Sequence, residues 1–177
     1  MARSEIFLRG RLDILIFSAI TPQLHVTGEI RRPVWDRLAR QDFTSLLNVR
    51  ESAAEENPGI KPKHYLHIAV DDYHAPSQEQ LEQGVDFIRQ HIAAGEKVLV
   101  HCGAGMGRSV TFVAAYLVST GIPPARALAW IAKARPFIEP TEDQVEQVNV
   151  FAERLTPQHP EAPVIQPVPV AVPTPAN

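Results

Sequence analysis

Residues 97–119 constrain this chain more than any other stretch. Lys97-Val98-Leu99-Val100 is a short apolar run that reads as a buried strand, and Val110 to Ser119 is an almost wholly apolar segment that reads as a buried helix. Between them lies His101-Cys102-Gly103-Ala104-Gly105-Met106-Gly107-Arg108-Ser109. Three of the five residues separating Cys102 from Arg108 are glycine, so the backbone can bend until successive N–H groups point inward. The N-terminus of the following helix adds partial positive charge. Arg108 offers a planar fork of donors suited to two phosphate oxygens. Strand, glycine-rich turn and helix in this order make an anion cradle, and Cys102, the only cysteine in the chain, sits at its base.

A field that attracts phosphate also stabilises a thiolate. Cys102, at a helix N-terminus beside a guanidinium, is expected to ionise below the ordinary thiol range and to attack the phosphorus of an ester held in the loop formed by Gly103, Ala104, Gly105, Met106, Gly107 and Arg108. Ser109 is placed to donate to the sulfur and steady it as a leaving group. His101 either orients the loop and tunes the thiolate or is a satisfied core histidine. The His-Cys-x5-Arg-Ser string resembles the signature of the cysteine-dependent protein phosphatases, in their compact dual-specificity branch, and the resemblance spans about residues 20–155.

Composition narrows the setting. At 177 residues with 45% hydrophobic residues, one domain with a useful core is expected over residues 1–155. A net charge of −3 gives no general pull toward nucleic acid or acidic membranes. One cysteine excludes an intrachain disulfide framework and suits a reducing compartment. Met1 to Gly10 lacks a signal-peptide core, and the apolar run Leu12 to Ile20 is too short to span a bilayer. The expectation is a cytoplasmic monomer with no membrane insertion and no nucleic-acid partner. Beyond Thr156 the composition changes: seven of the last 21 residues are proline. Residues 156–177 read as a disordered or polyproline II tail, free of function or docking a proline-binding partner.

Taken in order, the chain offers strand candidates at Ile14–Phe17 and at Leu24–Val26, the latter stopped by Gly28. Pro33–Arg40 reads as a short helix and Phe43–Val49 as a strand. Arg50-Glu51 follows at the end that faces the crevice in a parallel sheet; Arg50 reads as a surface arginine or as a support for the site. Ser52–Lys63 is a loop, and His64–Val70 is a strand with Leu66, Ile68 and Val70 on one face. His64 and His67, three apart on a strand, point to opposite faces, and no third ligand accompanies them in sequence, so no metal site is expected. Ser77 and Gln80 form a capping box opening a helix with Leu81, Val85, Ile88 and Ile92 as its stripe, ended by Gly95. Gly121 breaks the chain after the central helix. Pro123-Pro124 opens another helix, which stops before Pro136. Thr141 and Gln144 cap a last one, with Val145, Val148, Ala152 and Leu155 as its apolar stripe.

Expelling an alkoxide or phenolate is slow unless the leaving oxygen is protonated as it departs. Asp71 and Asp72 sit at the crevice end of a strand, and either could supply that proton or simply cap a turn. In the family the acid lies about thirty residues before the cysteine and shortly ahead of a proline; Asp72, with Pro76 four residues on, fits best. The resemblance also implies a structural role for the arginine of Arg135-Pro136. It makes Gln144 the candidate for positioning hydrolytic water, although its capping role already accounts for it.

The expected fold is α/β, a central mostly parallel sheet flanked by helices with the phosphate loop at the end of the central strand. The expected reaction is hydrolysis of a phosphomonoester through a phosphocysteine intermediate, with no metal and no cofactor. A sulfurtransferase would not need the late acid or the Arg-Ser ending. Arsenate reductases and low-molecular-weight phosphatases carry the loop near the N-terminus. A phosphate-binding pseudophosphatase remains the non-enzymatic alternative. Relatives acting on inositol lipids tend to carry lysines inside the loop; Gly103 to Gly107 has none, which favours a phosphorylated protein over a phosphoinositide or other small phosphomonoester.

Overall fold

The computed structural model describes residues 17–30, 38–52 and 62–155. Five strands make one sheet: β1 (Phe17–Ala19), β2 (Leu24–Thr27), β3 (Phe43–Asn48), β4 (His64–His67) and β5 (Lys97–His101), in the spatial order β1-β2-β5-β3-β4. Only β1 runs antiparallel to its neighbour; β2, β5, β3 and β4 are parallel. Among the described residues four helices flank the sheet: α1 (Gln78–Ala93), α2 (Arg108–Ser119), α3 (Pro124–Ala134) and α4 (Glu142–Arg154). This is the expected α/β class.

The alternation of side chains along the strands divides the apolar residues between two faces. Val98 and Val100 of β5 and Leu47 of β3 enter the larger core, where Val85, Ile88, Phe112, Leu117 and Ile131 cover them from the helices. Leu99 and Leu46 point the other way, into a smaller cluster with Ile30 and Leu38. Helix α2 is buried from Arg108 to Val118. A helix apolar on every side has no place at a surface, and the other three helices pack around it.

The parallel register decides where function can sit. Four strands end at one pole, so Gly28, Arg50-Glu51, Val70 to Asp72 and Cys102 converge there. Both capping boxes form: Ser77 Oγ accepts the Gln80 N–H at 3.2 Å while Gln80 Oε1 accepts the Ser77 N–H at 2.8 Å, and Thr141 and Gln144 repeat the exchange. Gly95 ends α1 with φ +79°, a conformation that favours glycine, and the Glu96 N–H returns to the His91 carbonyl at 2.9 Å.

Several boundaries and faces differ from expectation. β4 stops at His67; beyond it only the Ile68 N–H continues toward β3, bonding the Asn48 carbonyl at 2.9 Å. The buried face of α4 is Gln144, Val148 and Phe151 rather than Val145, Ala152 and Leu155, which are half-buried. Its face is rotated because Gln144 turns inward to the loop. Of the expected Pro33–Arg40 helix, 33–37 lie outside the described residues, and Ala39–Gln41 form a 3₁₀ turn. Residues 14–16 of the first strand candidate and the proline-rich segment also lie outside them. No helix among the described residues is long and apolar enough to cross a membrane.

The smaller cluster carries a pH dependence. His25 on β2 lies between Phe17 and Phe43, its ring 4.8 Å from that of Phe43 and nearly perpendicular to it. Burial, reinforced by the Lys97 charge and only partly offset by a hydrogen bond from the ring to the Gln23 backbone, lowers its pKa from 6.5 to about 4. Unfolded chains therefore bind a proton between pH 6.5 and 4 that folded chains refuse, and stability falls with pH across that window. The gap corresponds to roughly 3 kcal/mol. Urea midpoints measured from pH 7 to 4 are expected to decline, and the His25→Leu variant to lose most of that slope.

Candidate active site

The loop Gly103 to Gly107 leaves β5 at the centre of the sheet and enters α2. The carbonyls of Gly103, Ala104, Gly105 and Met106 are each held from outside the loop. The Glu29 N–H donates to Gly103 O at 2.6 Å and the Glu139 N–H to Met106 O at 2.9 Å. Arg135 Nη2 donates to Ala104 O at 3.3 Å and Nε to Gly105 O at 2.6 Å. In a trans peptide the N–H points opposite to the carbonyl, and the described backbone has no cis bonds. The amides of Ala104, Gly105, Met106 and Gly107 consequently face the interior of the loop. One is already engaged: the Gly105 N–H points at Cys102 Sγ at 3.2 Å. Ser109 Oγ lies 3.3 Å from the same sulfur.

Arg135 is 1% exposed, and its guanidinium also reaches Ser18 Oγ at 3.2 Å and stacks on the Phe137 ring at 4.3 Å. Desolvation lowers its pKa to about 10, with Cys102 acting in the opposite sense. It remains a cation at neutral pH behind the loop.

Arg108 lies against Gly103, and its side chain is 4% exposed. Its fork is divided among the strand ends: Nη1 donates to Glu51 Oε2 and to the Val70 carbonyl at 2.9 Å, and Nη2 pairs with Asp72 Oδ1 at 2.7 Å. The candidate acid and the candidate anion binder thus touch. Asp72 lines the cleft together with Cys102, Met106 and Gln144; its volume is about 550 Å³. Asp71 does not line it. Its carbonyl accepts the His74 N–H at 3.1 Å, which closes the turn through Tyr73, whose φ is +61°. The two adjacent carboxylates are therefore separated by position.

Gln144 is 1% exposed and bridges two segments. Its Oε1 serves the capping box, while its Nε2 donates to the His74 carbonyl at 2.9 Å. A Cβ on Gly107 would lie 2.5 Å from Gln144 Oε1. Capping and lining the cleft are compatible because the amide has two ends. His101 is buried at the end of β5, and its carbonyl accepts the Val49 N–H at 2.9 Å.

At three positions the structure corrects or extends what the sequence shows. Arg50 is not a solvated surface arginine: its side chain is 13% exposed, it pairs with Glu29 at 3.6 Å, and its carbonyl meets His67 Nε2 at 2.9 Å. Glu51, the neighbour that sequence reasoning passed over, reaches the guanidinium of Arg108. Its own backbone amide first, and then Arg108, hold its carboxyl below the usual carboxylate range. Its signal in sequence was an acidic residue at the crevice end of a strand. The third concerns His64, which diverges from His67 as expected but meets His91 and Glu96.

In sequence Gly28 is a strand stop; the structure gives it a closer constraint. A Cβ there would lie 2.8 Å from the Gly103 oxygen and 3.0 Å from the Ala104 carbonyl, so only glycine lets β2 close on the phosphate loop. Gly28→Ala is expected to lower kcat/KM by about 10²-fold, as displacement of a reacting group by about an ångström does. The thermal midpoint is expected to move far less than the rate; steady-state kinetics and a melting curve check both.

A buried sulfur below a ring of inward amides, with an arginine at the rim and a carboxylate across from it, defines a cysteine-based phosphatase. Comparisons with known proteins agree. The family described as "Tc-R-P: Polymorphic toxin system, DSP-PTPase phosphatase" matches residues 25–122. Dual specificity protein phosphatase 22-B of Danio rerio is 35% identical over 140 residues, covering 72% of this chain and 74% of that protein. Dual specificity protein phosphatase 15 of Mus musculus is 31% identical over 134 residues, and the chain spans only 56% of its length. Among solved structures, PTPMT1 in complex with PI(5)P superposes with a TM-score of 0.71 at 26% identity, covering 77% of this chain and 94% of that one. The chain belongs to the dual-specificity branch of the cysteine-dependent protein tyrosine phosphatase superfamily.

Proposed function

We propose that Cys102 attacks the phosphorus of a phosphomonoester whose oxygens are held by the loop amides of Gly103 to Arg108 and by the fork of Arg108. The P–O bond to the leaving group breaks as the P–S bond forms, and Asp72 gives its proton to the departing oxygen. Water then attacks the phosphocysteine. Asp72 takes a proton from that water, the P–S bond breaks, and the Ser109 hydroxyl donates a hydrogen bond to the thiolate that leaves. Gln144 positions the water, while His101 and Asp71 support the loop and the turn. The set of outward-held loop carbonyls carries this reading. Preorganised amides aimed at an anion are the largest usual source of transition-state stabilisation.

Arg108 must exchange Asp72 for phosphate when substrate enters. Phosphate oxygens then take Nη2, and the carboxyl of Asp72 is released toward the leaving group. Glu51 and the Val70 carbonyl keep Nη1 in place, so the guanidinium rotates about a held corner. We take the enzyme to be a monomer, and a cytoplasmic setting suits the single thiol.

Phosphorylated protein is the substrate we assign. Among the described residues, the charged groups lining the cleft beside Arg108 are Asp72, Glu139 and Glu142, and Tyr73 stands 78% exposed at its edge. An acidic rim repels a polyphosphorylated headgroup and attracts a phosphopeptide with basic flanks; an exposed aromatic ring suits the flat side chain of phosphotyrosine. The likeness to PTPMT1 holding PI(5)P supports a second reading, a phosphoinositide substrate. Relative kcat/KM decides between them. Phosphotyrosyl peptides with flanking lysines are expected to exceed their glutamate-flanked counterparts and PI(5)P by about tenfold or more. PI(5)P turned over faster than every peptide would overturn the assignment.

A further inference from the structure

The opposite pole of the sheet gathers a second set of donors. His64 opens β4, His91 lies in the last turn of α1, and Glu96 immediately precedes β5. About 20 Å of strand separates Glu96 from Cys102, at about 3.3 Å per residue. One ligand atom from each of His64, His91 and Glu96 lies within 4.8 Å of the other two. His64 Nε2 is 3.2 Å from Glu96 Oε1, and His91 Nδ1 is 2.7 Å from Glu96 Oε2. The two imidazoles stack, with ring centroids 4.3 Å apart and planes 30° from parallel, so both present an edge to one carboxylate. Phe87 packs against the His91 ring at 4.4 Å and fixes its orientation. The neighbours are Lys63 Nζ, 3.0 Å from Glu96 Oε1, and Ser45 Oγ, 3.0 Å from Glu96 Oε2.

We propose that His64, His91 and Glu96 bind a divalent transition-metal ion, Zn²⁺ or Co²⁺, at a site remote from the phosphatase cleft. Two neutral imidazoles and a carboxylate are a donor set that Zn²⁺ takes readily, leaving a fourth position for water. Zn–N and Zn–O bonds of about 2.0–2.2 Å bring ligand atoms to about 3.3 Å from one another. The required adjustment is at most about 1.5 Å, within the reach of side-chain rotation. His91 has a side chain only 7% exposed, which makes it a fixed ligand, and His64 at 34% is the accessible one. The competing cation is the Lys63 ammonium, on a side chain 67% exposed and free to swing into water.

The ion would tie α1 to β4 and β5 and so act on stability rather than on chemistry. The test uses the full chain without a histidine tag, carrying Cys102→Ser so that the active-site thiol takes no metal. Titration with Co²⁺, followed by its visible absorption, and with Zn²⁺ by calorimetry is expected to show one equivalent bound. Binding is expected to weaken at least thirtyfold in His64→Ala and in Glu96→Gln. The thermal midpoint is expected to rise with Zn²⁺ in the parent and not in His64→Ala. His64 is partly exposed, so its variant should fold, and melting without metal verifies that. Absence of saturable one-equivalent binding, or one equivalent bound equally well by His64→Ala, overturns the proposal.

Discussion

Cys102→Ser is expected to abolish turnover, with kcat lowered at least about 10⁵-fold on any phosphomonoester. The figure follows from removing a nucleophile whose function no other group duplicates; among the described residues the cleft lining contains no second thiol. A serine hydroxyl in its place would have to lose its proton to attack. The nearest groups, the Gly105 N–H at 3.2 Å and Ser109 Oγ at 3.3 Å, are not strong bases. Binding should survive, because the amides are oriented from outside the loop and not by the sulfur. Phosphate affinity by calorimetry is expected to stay within about threefold of the parent, together with the melting temperature. Residual activity within about 10²-fold of the parent would remove Cys102 from the chemistry.

Asp72→Asn carries the second large effect. With a poor leaving group such as phenyl phosphate, kcat is expected to fall by about 10²–10³-fold, the range general acids supply. With a good leaving group such as p-nitrophenyl phosphate the loss should shrink, since departure then needs less protonation. KM is expected to hold or fall. The amide no longer holds Arg108 Nη2 by charge, which in the parent is paired at 2.7 Å, so phosphate meets less competition. Asp71→Asn is the control: its side chain stays outside the cleft, and rates should remain within about twofold. If Asp71→Asn and Asp72→Asn fell equally, or if the loss were the same for both leaving groups, Asp72 would not be the acid.

What could be read in the chain beforehand was local. The capping boxes at Ser77/Gln80 and Thr141/Gln144, the stop at Gly95, and the strand–loop–helix unit around Cys102 each depend on a few neighbouring residues, and each formed as expected. What escaped depended on contacts between distant segments. Glu51 meets Arg108 across 57 positions; its place at a strand end is local, but its partner is not. Gly28 looks like any turn glycine until β2 lies beside the phosphate loop. Arg50 was read from its residue type, whereas its burial is set by Glu29 and the strand ends. His64 was weighed against His67, its neighbour along the chain, but its partners come from α1 and the start of β5. The α4 stripe was misjudged for a related reason, because an inward glutamine rotates the face by about one residue.

The buried guanidinium of Arg135 has one more consequence. By tethering two loop carbonyls from behind, alongside the amides of Glu29 and Glu139 on the other two, it completes the catalytic mould during folding. An arriving anion then meets dipoles already aligned, with little backbone left to organise. Recognition of the phosphoryl group should therefore be nearly uniform across esters. Discrimination among them passes to the parts of the entrance that the scaffold leaves at the surface, Tyr73 and the carboxylates facing it.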